Sequence, residues 1–186
     1  MAALTHLTGT YAIDPVHSRI GFAVRHAMVS KIRGGFDEFE GSGFFDADTP
    51  SNSRLQLTIK ADSIDTRNAD RDAHLRSNDF FDMENHPEIT FNSTSVEGAG
   101  EGAFLVTGDL TVRGVTKPVT LDFEYTGDAT DPFGNKRVGF EGKAEVNRKD
   151  WGINWNATLD AGGVMIGDKV TLDFDVSAIR SDEGAS

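Results

Sequence analysis

Cysteine is absent from this chain of 186 residues. Its absence excludes disulfides, thiolate metal ligands and thiol nucleophiles, so stability has to come from packing. Long apolar runs are missing as well. Nothing approaches the ~20 consecutive apolar residues that a bilayer-spanning helix needs, so no stable membrane insertion is expected. Basic residues are scarce, 18 against 30 acidic, and the formal charge of -12 repels nucleic-acid phosphates and anionic lipid head groups. Nucleic acid is therefore disfavoured as a partner. No Pro/Ser-rich linker or shift in composition divides the chain, which reads as a single domain over residues 1–180 with a short polar tail at 181–186. The opening residues, Met1 to Thr10, have neither the basic nor the apolar region of a secretion leader, so a soluble cytoplasmic protein is expected.

Catalytic signatures are missing too. The chain has no Gly-x-Ser-x-Gly, no His-Glu-x-x-His, no P-loop and no dinucleotide fingerprint. His17, His26, His74 and His86 are not paired at His-x-His or His-x-x-x-His spacing and have no thiolate to assist them. Neither a metal nor a cofactor is expected.

What the chain does have is period-2 alternation. Ile20, Phe22 and Val24 alternate with Arg19, Gly21, Ala23 and Arg25 as a first strand, preceded by Tyr11-Ala-Ile-Asp-Pro15. Phe36, Phe39, Gly41, Gly43 and Phe45 suggest a second, with a parity shift near Asp37-Glu38 of the kind a bulge causes. Five more follow: Leu55 to Ala61, Ile89 to Val96, Phe104 to Val112, Val119 to Tyr125 and Val138 to Val146. Val170 to Val176 form the eighth. Gly98-Ala-Gly-Glu-Gly102, Arg113-Gly-Val-Thr-Lys-Pro118 and Asp131-Pro-Phe-Gly-Asn135 punctuate them as turns.

One segment breaks the series. Near residues 68–82 the period changes: Asn68 can cap a short helix carrying Asp70, Arg71, Asp72, His74 and Leu75. Ser77 and Asp79 offer starts for a further turn that projects Phe80 and Phe81. Two adjacent phenylalanines on a polar turn must cover something apolar. Eight one-faced strands joined by tight turns either close into a barrel or split into two packed sheets. Their length favours a tall antiparallel barrel, all-β apart from the insert. Eight strands is also the size at which the interior is either just filled by side chains or holds one small ligand.

Several fragments carry a family resemblance. They are Tyr11-x-Ile-Asp-x-x-His17-Ser18, Phe22-x-Val-x-His26, Phe36-x-x-Phe39-x-Gly41, Arg71-Asp-x-His-Leu75, Asp79-Phe-Phe-Asp82 and Pro87-x-Ile-Thr-Phe91. Gly108-x-Leu-Thr-x-x-Gly-x-Thr-x-Pro-Val119 and Gly167-Asp-x-Val170 follow. In this order and spacing they resemble the YceI-like family of bacterial lipid-binding proteins across nearly the whole chain. One departure is Asp150-Trp151-Gly152, where the family has Asp-Phe-Gly. The resemblance implies an eight-stranded antiparallel lipocalin-like barrel whose apolar tunnel holds a polyisoprenoid chain, such as an isoprenoid quinone or its precursor, and carries or sequesters it without catalysis. It also favours a homodimer.

On that reading Phe22, Val24, Phe36, Phe39, Leu57 and Ile59 line the interior together with Phe91, Leu110, Phe123, Phe140 and Phe174. Phe80, Phe81, Trp151, Ile153, Trp155 and Met165 close or shape the ends. Arg71, Asp72 and His74 on the insert, with Asp14 and His17 before the first strand, either anchor the insert to the barrel or meet a ligand head group. Two rival functions stand beside this one. Asp14/His17 or Asp72/His74 could serve as the acid–base pair of an enzyme acting on a hydrophobic substrate. Alternatively, a ligand-free barrel could act as a protein-interaction module through a sheet edge or the 150–167 loop.

Overall fold

The computed structural model describes residues 4–27, 29–157, 159 and 165–181. It contains strands β1 (Gly9–Ile13), β2 (Arg19–His26), β3 (Ser30–Phe36), β4 (Phe39–Phe45), β5 (Arg54–Lys60) and β6 (Ile64–Asp65), then helix α1 (Ala69–Arg76). Strands β7 (Glu88–Gly98), β8 (Ala103–Val112), β9 (Val115–Thr130), β10 (Lys136–Asn147) and β11 (Ile166–Arg180) complete it. The sheet order is β1-β4-β5-β7-β8-β9-β10-β11, all antiparallel, and β1 pairs with β11 through Tyr11 opposite Arg180 to close an eight-stranded barrel. Closure leaves no free edge in that ring. Of the polar tail, residues 182–186 lie outside the described residues.

The barrel and its insert match the sequence expectation, while the composition of the ring differs from it in two places. Tyr11-Ala-Ile is a strand of its own. β11 is 15 residues long, more than one short partner covers, so β1 pairs with its C-terminal end and β2 with its N-terminal part. Between them Pro15-Val16-His17 forms a 3-10 turn capped by Asp14, which accepts the Val16 N–H. The second difference lies at Asp37-Glu38, where a real break separates β3 from β4 in place of a bulge. Bulges fall elsewhere, at Gly139/Phe140, Ser93/Ser95 and between Ile166 and Val170.

These breaks make the two ends of the barrel unequal. At the closed end β1 bridges β11 and β4. At the other end β2 and β3 extend the sheet from β11, and on its far side β3 meets only the two residues of β6, Gly35 opposite Asp65 and Phe36 opposite Ile64. Ser30 to Gly34 therefore have no strand partner on that side among the described residues. The insert of residues 66–87 covers this opening, and Phe81 meets Phe36 edge to face with centroids 6.0 Å apart.

The insert is held by its own polar groups. Asn68 caps α1 by accepting the Arg71 N–H at 3.0 Å. Buried Asp72 accepts both the N–H and the hydroxyl of Thr66, at 3.0 and 2.5 Å. Arg71 donates to the Thr66 hydroxyl and carbonyl, and Arg76 donates to the carbonyls of Asp62 and Ile64. Beyond α1 the chain forms turns, with Phe80 N–H donating to Ser77 O and Phe81 N–H to Leu75 O. The β8–β9 hairpin turns through Arg113 and Gly114, both at positive φ as a type I′ turn requires. Arg113 then reaches the Phe80 carbonyl at 3.0 Å and ties that hairpin to the insert.

Candidate functional site

Side chains of even number on β2 and, from Val138 to Val146, on β10 point inward, and the ladder sets large rings against small partners. Phe22 lies opposite Gly34 and Phe123 opposite Gly142; a Cβ at either glycine would come within 2.6 or 2.5 Å of the facing ring. Only glycine leaves room for the ring to lie flat across the neighbouring strand. What remains inside the barrel is a cavity of about 520 Å³ at the insert end and a second of about 130 Å³ at the closed end. Ile20, Leu57, Leu121 and Phe174 border both, so these four side chains lie between the two along the barrel axis.

The structure brings most of the predicted lining together. Phe22, Val24, Phe36, Leu57, Ile59, Phe91, Leu110 and Phe174 border the larger cavity, as do Phe80, Phe81, Trp151, Ile153, Trp155 and Met165 near its mouth. Phe123 and Phe140 border the smaller one. Phe39 borders neither. It sits buried opposite Ile59, in the core beside the β3–β4 break, and is a packing residue. Trp151 is buried and its indole N–H donates to the Leu110 carbonyl at 3.0 Å, which pins the 3-10 turn of Arg148–Trp151 across the barrel end. Gly152 follows at φ 78° as the left-handed residue that ends this turn.

The polar residues separate into two groups. His74 lies at the mouth, edge-on to Phe80 at 5.0 Å and to Trp155 at 4.6 Å, with Nε2 2.8 Å from Asp79. Arg71 also lines the mouth, whereas Asp72 is spent on Thr66. Asp14 and His17 are elsewhere. Asp14 accepts from His17 Nδ1 at 2.7 Å and from Arg137 at 2.7 Å, and Arg137 in turn donates to Asp131 at 2.8 Å. The expectation that Asp14 and His17 brace the insert is thus corrected: they clamp the β1–β2 break to β10. The Arg137 guanidinium, helped by His17, holds the Asp14 carboxyl down at about 2. Asp72 and His74 point to different partners and do not bond each other.

Arg148 was not anticipated. It is 5 % exposed, donates to the carbonyls of Gly167, Ile153, Trp155 and Ile166 at 2.8–3.3 Å, and has Asp168 3.9 Å away. Burial lowers its pKa, and the Asp168 charge partly offsets that; an arginine still keeps its proton. A signal existed in the sequence: Val138, Phe140, Gly142, Ala144 and Val146 alternate inward, and Arg148 continues the parity by one more step. Ile32 was also missed, because Lys31-Ile-Arg-Gly-Gly35 lacks an alternating apolar pattern; it lines the larger cavity. Among the described residues no buried side-chain nitrogen or oxygen lacks a partner. The cavity wall therefore offers hydrocarbon contact and few polar demands. Among the described residues no group of His, Asp or Glu is arranged to hold a metal ion, and no helix is long and apolar enough to cross a membrane.

Comparison with known proteins agrees with this architecture. Residues 11–178 match the YceI-like domain family. A UPF0312 protein of Photorhabdus laumondii is 44 % identical over 159 residues, covering 84 % of this chain and 81 % of the relative. The crystal structure of Burkholderia cenocepacia BcnA superposes with a TM-score of 0.78 at 22 % identity, covering 89 % of this chain and 98 % of that one. A polyisoprenoid binding domain from Saccharophagus degradans, implicated in plant cell wall breakdown, gives 0.67 at 17 % identity, covering 92 % and 98 %.

Proposed function

The chain belongs to the YceI-like domain family, and on that premise we propose that it binds and carries, or sequesters, a long-chain isoprenoid-type lipid inside the barrel without converting it. The observation that carries this reading is the apolar cavity of about 520 Å³, a volume typical of small-molecule sites. Its walls are Phe, Leu, Ile and Val, and its polar groups gather at the mouth. Support also comes from the polyisoprenoid binding domain of Saccharophagus degradans, which has the same fold.

A polyprenyl tail has almost no hydrogen-bonding groups, so its affinity must come from removing hydrocarbon from water. Burying about 400 Å² of tail at ~25 cal/mol/Å² gives on the order of 10 kcal/mol, before the loss from restricting a flexible chain. Acid–base chemistry is not favoured: Asp14 is engaged with both His17 and Arg137 away from the cavity, and Asp72 and His74 bond different partners.

Mass spectrometry of lipid extracted from purified protein is the direct test, paired with a Leu110→Trp variant that places an indole in the cavity. An isoprenoid-mass ligand is expected in the wild type. Uptake from detergent micelles should fall at least about tenfold in the variant, equivalent to ~1.4 kcal/mol. An empty wild-type barrel that takes up no polyprenyl lipid, or equal uptake by both proteins, overturns the reading.

A further inference from the structure

Charge is distributed unevenly along this acidic chain. From Pro15 to Phe36 there is no Asp or Glu, yet the stretch carries Arg19, Arg25, Lys31 and Arg33 with His17 and His26. Elsewhere acids outnumber bases, as they do overall at 30 to 18. The fold gathers three of these cations on one surface. In the β2–β3 hairpin Arg25 lies directly opposite Lys31, and Arg33 lies opposite Ala23 on the same outward face. All three are exposed.

Like charges directly opposite across a ladder destabilise it, and nothing described relieves them. Arg19, farther from the hairpin tip, has Asp173 at 2.9 Å; Arg25, Lys31 and Arg33 form no ion pair with any described residue. The tip itself is apolar, with Val29 81 % exposed. It stands at the cavity mouth: the Ala27 N–H donates to the Met165 carbonyl at 2.6 Å, and Arg25, His26 and Met165 all border the cavity.

We propose that the outward face and tip of the β2–β3 hairpin form a docking surface for anionic phospholipid head groups, which seats the barrel mouth on a bilayer. The chemistry fits on both counts: cations with no ion pair among the described residues meet lipid phosphate, and an exposed valine beside them enters the head-group boundary. The overall charge of -12 does not oppose this at close range, because charges more than a Debye length away, ~8 Å at physiological ionic strength, are largely screened. An acidic protein partner would use the cations but has no need of an apolar tip at the opening of a lipid-sized cavity. The proposal extends the lipid-carrier reading, and its test is independent of the cargo.

The test is co-sedimentation of the full chain with vesicles of phosphatidylglycerol and of phosphatidylcholine, neither containing isoprenoid. Binding to phosphatidylglycerol alone is expected, with release at about 0.5 M salt. Arg25→Glu/Lys31→Glu should weaken it at least about twentyfold, at roughly fivefold per cation. Val29→Asp should weaken it by a smaller factor. Lys136→Glu/Lys143→Glu on β10 makes the same change in charge away from the hairpin and should retain binding; circular dichroism checks that each variant is folded. No binding of the wild type to phosphatidylglycerol, equal binding to both lipids, an equal loss in the β10 control, or tighter capture by immobilised polyglutamate than by the vesicles would each overturn the proposal. Failure of the carrier reading shows instead in the uptake assay with Leu110→Trp, which these vesicles do not report.

Discussion

At the closed end of the barrel Phe45 meets Phe104 and Phe140 edge to face at 5.3 and 5.6 Å, and Phe123, Tyr125 and Phe174 extend the ring cluster. At the insert end aliphatic side chains, Val24, Ile32, Leu110, Val146 and Leu172 among them, share the wall with Phe22, Phe36 and Phe91 around a cavity of about 520 Å³. The same strands serve both ends. Ring-against-ring packing leaves only about 130 Å³ in one half, whereas the aliphatic and aromatic side chains of the other half surround a larger space. One half is therefore chiefly a packed core and the other is hollow. Backbone closure follows the same division, with β1 bridging β4 and β11 at the closed end while the insert covers the gap beside β3 at the other.

The comparison breaks most visibly at its packed half. Phe104→Ala removes a buried ring from the cluster and should cost about 3–5 kcal/mol of unfolding free energy, as other Phe truncations in cores do. The smaller cavity would be enlarged as well. If urea unfolding shows a loss below about 1 kcal/mol, the closed end is not a packed core.

At the mouth, Arg148→Met removes the donors that hold the carbonyls of Ile153, Trp155, Ile166 and Gly167. The expected loss is smaller, about 2–3 kcal/mol, because released carbonyls near an opening can turn to water. Trp151 and Trp155 flank this knot, so their emission should shift to the red in the variant. An unchanged spectrum and an unchanged denaturation midpoint would mean that Arg148 does not organise the mouth.

The smallest effect concerns the clamp of Asp14, Arg137 and Asp131. Asp14 titrates at about 2 when folded, below the ~3.9 of an unfolded aspartate. Its contribution is thus fully present above that unfolded value and is lost as pH falls from about 4 towards 2. Asp131 also titrates at about 2: burial pushes it up, but Arg137 together with Asn135 and the Phe133 N–H outweighs that. Asp14→Asn keeps the shape and removes one charge, so its urea midpoint should vary less between pH 5 and pH 2 than that of the wild type. Equal slopes would place the acid sensitivity elsewhere.

Much of the fold was legible because alternation is a local code. Ile89 to Val96 and Phe104 to Val112 have one buried face each, and a strand with one buried face has only one register that keeps it covered. The breaks at Pro15 and Asp37-Glu38 were less legible, since what sets them is the length of β11 and the partner each half finds. Most of the lining could be assigned by parity. Phe39 misled because an inward aromatic next to a chain break packs into the core like any other.

Arg148 shows the opposite failure: its parity said inward, but a charged residue in a polar run reads as solvated until four carbonyls are seen converging on it. Asp14 and His17 have the residue types of a site, and only their distance from the insert removed them from one.

By itself the sequence determined the all-β class, the one-faced strands, the helical insert capped at Asn68 and the family, because each depends on residues near one another in the chain. The tertiary structure decided which half of the barrel is filled and which is hollow, and that Asp14 serves Arg137 and not the insert. It also put three cations that have no ion-pair partner among the described residues beside an exposed valine at the mouth. Those outcomes depend on which side chains from distant strands meet across the interior or share an outer face, and strand periodicity carries no information about the partner opposite.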